Sequence, residues 1–559
     1  MTSRPALKAP YEVQSRSAIR IGGLAVLASL SSFFYYVQRG EILMHGDATA
    51  HINIARRTID SLTPGPLQLG TVWLPLPHVL MMPFIYSDKL WQSGVGGSIP
   101  SLVAYVLGVL GITRLVGGLL ESDTRTRPGA HAGAWIAAFA YGANPNLIYM
   151  QSTALTEPLY LALFIWALTY CAEFMRALAS NDQAHESSRE IATTHTLRRC
   201  AYCVAAAEMT RYDGWFLAGT LGALVLATTL WRRNDRVLRG SALTFLAGIA
   251  ALPTVWLIYN AAVYGNALDF ANGPYSAKAI ELRVAAPNPA FHNFSLGGLY
   301  FLKSAQITLA VGNWGRLWLA AAILATCAAW CVLRNRAAAI LLLLWSPLLF
   351  YAYSISYGWV PLHVPMWWPH AVFNQRFGLE LLPLFAVSAG LPVAIVAVWW
   401  RRAALSIAIA VAGVLIVVSY AFVLKDQPLC EVEAQRSWQM RSGLDSSVER
   451  VIKAVPPDSQ FLMDIGEHVG ILERLGIPLR RVVNSENHRP WKRPTDPEGI
   501  WERSLANPGA YVDYVIAFDG DLVDRGVNRT NLNLWTVIHS MGQPSAKIYE
   551  TRRAMNQSR

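Results

Sequence analysis

Charge is scarce in this sequence. Only 15% of its 559 residues are Asp, Glu, Lys or Arg, while 53% are hydrophobic. A soluble globular domain carries about 25% charged residues, so that class is excluded. Cysteine is scarce too. Cys171, Cys200, Cys203, Cys327 and Cys331 fall in apolar runs and Cys430 stands alone in the polar C-terminal region, so no disulfide framework is implied. The Cys200-x2-Cys203 pair has no second pair near it, which argues against a structural zinc site. There is no internal repeat, no low-complexity segment and no continuous basic face. The net charge of +11 comes from short Lys/Arg clusters between apolar runs, which excludes a nucleic-acid partner and reads as a membrane-topology signal. The first apolar run lacks a small-residue cleavage site, so no cleavable signal peptide is expected.

What is present is a series of long apolar runs. A bilayer-crossing helix needs about 20 such residues. Eleven spans are predicted, at 19–38, 99–120, 131–150, 156–175, 199–211, 213–231, 241–262, 313–333, 337–355, 378–400 and 403–424. Leu74–Ile85 is too short and too rich in proline (Pro75, Pro77, Pro83), and reads as a re-entrant or surface-lying helix. Arg4, Lys8, Arg16 and Arg20 precede the first span. Further clusters are Arg125/Arg127, Arg176/Arg189/Arg198/Arg199, Arg232/Arg233/Arg236, Arg334/Arg336 and Arg401/Arg402. With eleven spans all fall on one side, the cytoplasmic one by the positive-inside rule. Residues 1–18 are then cytoplasmic. The first loop (39–97), the loops 264–306 and 356–376, and everything after Leu424 face outward, with Tyr357, Trp359, Trp367 and Trp368 as an aromatic border.

From Lys425 the composition turns polar. Short apolar runs at Phe461–Ile465, Arg481–Val483, Tyr514–Phe518 and Trp535–His539 read as strands, and Glu467–Leu475 has helical periodicity. The expected fold is an α-helical polytopic membrane protein, with about eleven transmembrane helices over 19–424 and a small extracytoplasmic α/β domain over 425–559. That domain is expected to guide an acceptor or cover a cavity, with Trp491 and Arg493 as contacts.

Ionisable groups against a membrane face usually mark a site, and Glu41–His78 is dense in them. On a helix starting near Asp47, the residues Ala48, Ile52, Ala55, Ile59 and Leu62 form an apolar stripe opposite Asn53, Arg57 and Asp60, so the helix should lie flat on the membrane. Asp47 and His51 share the edge of that stripe. Asp47 is a candidate base, or simply the helix cap. Glu157, in Thr156-Glu157-Pro158-Leu159, is the second acidic candidate, at a helix start that favours a carboxylate. Arg211-Tyr-Asp213 forms a third group, in which an ion pair that stabilises a turn competes with ligand binding. Arg376, beside Gln375, stands at the mouth of a span, where a guanidinium grips phosphate oxygens bidentately. His45, His51, His78, His363 and His370 fall on the same side. They leave a divalent metal possible, although no spacing matches a zinc signature.

The chain resembles the GT-C membrane glycosyltransferases, in the branch of the protein O-mannosyltransferases and the lipid A aminoarabinose transferase. The resemblance lies in an ordered set over 19–424: Gly46-Asp47-Ala48-Thr49, the WLPLPH element, Thr-Glu157-Pro-Leu, and Arg376-Phe-Gly-Leu-Glu-Leu-Leu-Pro383. It departs where Ala48 stands for a second acid and where Leu-Pro-Leu-Pro-His stands for a Lys-Pro-Pro element. The resemblance implies a transferase in the plasma (inner) membrane that moves a sugar from a polyprenyl-phosphate donor to a protein, glycan or lipid acceptor on the outer side. By position, it implies Asp47 as the catalytic acid. Glu157 joins Asp47 in the expected catalytic pair, Arg376 and Arg211 bind the donor phosphate, and His51, His78, Asp213 and Gln375 support them. A transporter or flippase of a lipid-linked or anionic solute is the alternative.

Overall fold

The computed structural model describes residues 9–179, 186–232, 234–282, 288–333, 339–399, 402–487 and 499–557. Among them nine helices are long and apolar enough to cross a bilayer, and the chain is an integral membrane protein. All eleven stretches read from the sequence contain helix, but two fall short as spans. Residues 131–150 divide into Arg127–Gly142, of 16 residues, and Pro145–Gln151. The break falls at Asn144, whose side chain accepts from the Leu147 amide at 3.0 Å, and at Pro145, which cannot continue the preceding helix. The stretch 199–211 is the apolar end of Glu186–Glu208, whose first half is too polar for the bilayer core.

The helix Glu157–Ala179 runs from one end of the bundle to the other. Its first residue is Glu157, and Arg176 in its last turn donates to the Gly118 carbonyl. Arg125 donates to the Val332 carbonyl at that same end. These basic residues therefore lie at the end opposite Glu157. Small residues set the closest helix crossings. A Cβ on Gly133 would lie 2.7 Å from the Gly390 carbonyl oxygen, so Arg127–Gly142 and Leu382–Trp399 touch backbone to backbone. Leu76–Ile85 is a helix of 10 residues with Val79 and Leu80 exposed and His78, Met81 and Ile85 buried.

The C-terminal region carries a five-stranded sheet of β1 (Phe461–Met463), β2 (Val482–Val483), β3 (Tyr514–Phe518), β4 (Leu532–Ile538) and β5 (Ala546–Thr551). The order is β2-β1-β3-β5-β4, with β1 parallel to β2 and β3, and β5 antiparallel to β3 and β4. β5 escaped the sequence reading because Lys547 and Glu550 interrupt its apolar character. Trp491 and Arg493 lie outside the described residues. A 24-residue helix, Leu429–Ile452, joins this sheet to the last membrane helix, and Cys430, Glu433, Ala434, Leu444 and Val448 are among the residues it buries.

Candidate active site

The first loop enters the site as the helix Gly46–Arg57. Its N-cap is His45, whose Nδ1 accepts from the Asp47 amide at 3.2 Å. Asp47 is therefore not the cap, and its carboxylate is free to reach elsewhere. Ala48, Ile52 and Ala55 are fully buried, as the stripe predicts. Gly97 makes the room: a Cβ there would lie 2.7 Å from Ile52 Cδ1. The polar face is not open, contrary to the flat-lying expectation. Asn53 Nδ2 donates to Glu473 Oε2 at 2.8 Å, and Asp60 accepts from Arg480 Nη1 at 2.9 Å and from the Leu479 amide at 3.3 Å. The C-terminal region roofs this helix because its buried carboxylates and amides find their partners there.

Arg376 arrives on a tight turn. Asn374 takes a left-handed conformation (φ 56°), after which Gln375–Leu381 forms a 3-10 helix. Gly378 is required by a close approach, since a Cβ there would lie 2.6 Å from the Ser304 carbonyl carbon. The guanidinium, 8% exposed, donates from Nη2 to Asp47 Oδ2 at 2.5 Å and from Nε to Glu157 Oε1 at 2.9 Å. Its Nη1 pairs with His45 Nε2 and lies 3.6 Å from Glu433 Oε1. Arg211 meets the same Glu157 oxygen at 2.9 Å, and also reaches Asp213 Oδ2 at 3.2 Å and Tyr351 Oη at 2.9 Å. Tyr351 Oη in turn donates to Asp213 Oδ2 at 3.0 Å. Glu157 thus holds two guanidiniums side by side, and Phe377 lies beneath both, 5.3 Å from Arg376 and 5.2 Å from Arg211.

The sequence candidates Asp47, Glu157, Arg211, Asp213 and Arg376 therefore form one connected network, although they lie up to 329 residues apart. His51 and His78 form a pair, Nδ1 to Nε2 at 2.9 Å, with His51 against Trp73 at 4.5 Å between rings. This pair sits one helical turn beyond Asp47. The side chain of Gln375 does not join the cluster, because its Nε2 donates to the His363 carbonyl. Glu433, Glu380 and Tyr351 went unassigned in the sequence. Glu380 belongs to the Arg376 element. Glu433 follows the last span by one turn of a helix that is otherwise amphipathic, where a buried acid gives no periodic signal. Among the described residues no three His, Cys, Asp or Glu side chains gather as a metal-ligand set, and Glu380 has no hydrogen-bond partner on either oxygen.

Asp47 is the most open member, with 37% of its side chain exposed. Burial pushes its carboxyl up, but Arg376, His45 and His51 outweigh this and hold it at about 2. Burial pushes His51 down to about 4 against the pull of Asp47, and His78 falls well below the usual imidazole range for the same reason. Both imidazoles are therefore neutral near pH 7, and the charges that matter are carboxylates and guanidiniums.

No protein-family model and no curated protein sequence matches the chain. Among solved structures, the crystal structure of ArnT from Cupriavidus metallidurans bound to undecaprenyl phosphate superposes with a TM-score of 0.51 at 13% identity. The match covers 94% of this chain and 97% of that one. The chain has the GT-C fold. The oligosaccharyltransferase of Archaeoglobus fulgidus, in complex with zinc and sulfate, is similar over 95% of this chain and 73% of its own, with a TM-score of 0.49 and 12% identity. In the GT-C fold of this chain the network lies at one end of the helix bundle, beneath the roof that the C-terminal region lays over the first loop.

Proposed function

We propose that this protein is a membrane glycosyltransferase that takes a sugar from a polyprenyl-phosphate donor and transfers it, with inversion, to an acceptor on the extracytoplasmic side. The observation that carries the reading is the Asp47–Arg376–Glu157 network: one half-open carboxylate beside a buried guanidinium, itself paired to a second guanidinium through a shared acid. The ArnT structure that shares the fold holds undecaprenyl phosphate, which supports a donor of that class. Arg125 and Arg176 at the opposite end of the bundle support an outward-facing site.

The geometry suggests an order of events. At about 2, the Asp47 carboxyl is a weak base, since a general base works best near the ambient pH. A lipid phosphate that takes Arg376 Nη2 displaces Asp47 from its ion pair and raises its basicity just as the acceptor is needed. The acceptor hydroxyl then attacks the anomeric carbon and gives its proton to Asp47. The bond from that carbon to the phosphate oxygen breaks, and polyprenyl phosphate leaves with the electron pair. Arg376 and Arg211 stabilise the charge developing on the leaving phosphate.

The transporter alternative predicts ionisable residues at mid-membrane on broken helices, whereas these gather at helix ends. Reconstituted protein incubated with polyprenyl-phosphate sugars from a membrane lipid extract should release free polyprenyl phosphate and label an acceptor fraction. Movement of intact lipid-linked sugar across the bilayer, with none consumed, would favour the transporter instead.

A further inference from the structure

The helix Leu429–Ile452 does more than connect two parts of the chain. Both oxygens of Glu433, itself 6% exposed, are engaged: Oε1 accepts the Asn374 amide at 2.6 Å and Oε2 the Gln375 amide at 2.9 Å. These are the two peptide N–H groups immediately before Arg376, and the first belongs to the residue in the left-handed conformation. The same carboxylate lies 3.6 Å from Arg376 Nη1 and 3.8 Å from His45 Nε2. Along the same helix, Ser437 Oγ accepts the Gly46 amide at 3.1 Å, and Arg441 Nη2 donates to the Leu43 and Met44 carbonyls at 3.1 Å each. One helix therefore fixes both the segment that carries Arg376 and the loop that carries Asp47.

We propose that Glu433 is the positioning residue for Arg376, fixing the backbone turn that aims the guanidinium at the lipid phosphate. This rests on the glycosyltransferase reading above. The physical reason is economy of contact. A carboxylate that accepts two consecutive amides holds a left-handed turn that asparagine adopts only at some cost. A third, longer contact to the guanidinium then sets the side chain without competing for the oxygens that grip it. On this proposal, residues after Leu424 contribute to the donor end of the site as well as to the acceptor guidance or cavity cover expected of them.

The test uses the full-length protein in nanodiscs and undecaprenyl phosphate as the probe. Glu433→Gln keeps the volume but loses one acceptor oxygen and the charge, and Glu433→Asp keeps the charge but is too short to span both amides. Each should weaken binding about tenfold, as expected for the loss of a charged hydrogen bond. In an Arg376→Ala background the same substitutions should change binding less than about twofold, because a residue that acts through Arg376 has nothing left to position. Equal losses in both backgrounds would overturn the proposal, and so would full binding by both variants. Hydrogen exchange at the Asn374 and Gln375 amides gives a readout that does not depend on the ligand. It should accelerate in Glu433→Gln while global thermal unfolding stays near that of the parent. If the parent itself binds no undecaprenyl phosphate, the functional reading falls, and unchanged exchange at these amides is what would sink the role of Glu433.

Discussion

Replacing Asp47 by Asn should separate donor binding from transfer in opposite directions. Asp47 holds Arg376 Nη2 at 2.5 Å, so a lipid phosphate must displace it before binding bidentately. The pair is stronger than a surface ion pair because Arg376 is buried, yet weaker than a buried one because 37% of the Asp47 side chain faces solvent. A value of about 1 kcal/mol sits between those cases, equivalent to about fivefold in affinity. The Asn variant should therefore bind undecaprenyl phosphate a few times more tightly than the parent. Transfer should fall by about 3 kcal/mol of barrier, or over a hundredfold, because no base remains for the acceptor proton. Binding is read in nanodiscs by titration with undecaprenyl phosphate, and transfer by consumption of a lipid-linked sugar. Weaker binding of the lipid phosphate by the Asn variant than by the parent, or turnover at a comparable rate, would refute both roles of Asp47.

Arg376→Lys should weaken the same binding by about tenfold or more, since one ammonium cannot reach both Asp47 and Glu157 and also grip phosphate bidentately; equal titration curves for Lys and Arg would move the clamp to Arg211. Glu473 gives a pH signature. Burial pushes its carboxyl up from 4.5 to about 8, despite the Asn53 amide that favours its charged form. The unfolded chain releases this proton near 4.5 and the folded chain keeps it to about 8, so stability should fall as pH rises across that window, by an amount on the order of 5 kcal/mol. Thermal unfolding of Glu473→Gln should show a shallower pH slope there; an identical slope would mean the carboxyl is already ionised in the folded protein. Gly97→Ala should push Ile52, and with it the helix bearing Asp47, at a cost of about 1 to 3 kcal/mol. Unfolding temperature and transfer should drop together, and neither changing would show that the helix contact is loose.

The helices were legible because apolar length is a local property, and so were the acids and arginines that stand at their ends. Where the reading fell short, the cause was either a local break or a distant partner. Asn144 and Pro145 divide one predicted span by capping chemistry that hydropathy averages away. Asp47 could not be distinguished from a cap until His45 was seen to fill that position. The polar side of Gly46–Arg57 looked like a solvated face because Glu473 and Arg480, which cover it, lie more than 400 residues later. Glu433 had no signature of its own, since what makes it important is the pair of amides it meets from another element. Gln375, a polar neighbour of Arg376 in the sequence, turns its side-chain amide away to the His363 carbonyl, which adjacency alone does not reveal.

The way the network is closed also fixes when it can exist. Asp47 emerges early in synthesis, Glu157 and Arg211 later, and Arg376 later still, while the helix holding the turn before Arg376 begins only at Leu429. A nascent chain inserts its spans one after another, and until residue 433 has left the ribosome it has no acceptor for the amides that fix that turn. The order of elements along the sequence therefore delays completion of this site. A partly made chain, already threaded through the bilayer and surrounded by lipid, has its acids and arginines in the membrane but not yet their fixed arrangement. Prematurely terminated products should accordingly be inserted yet inert, because the helix Leu429–Ile452 has yet to dock against the turn before Arg376.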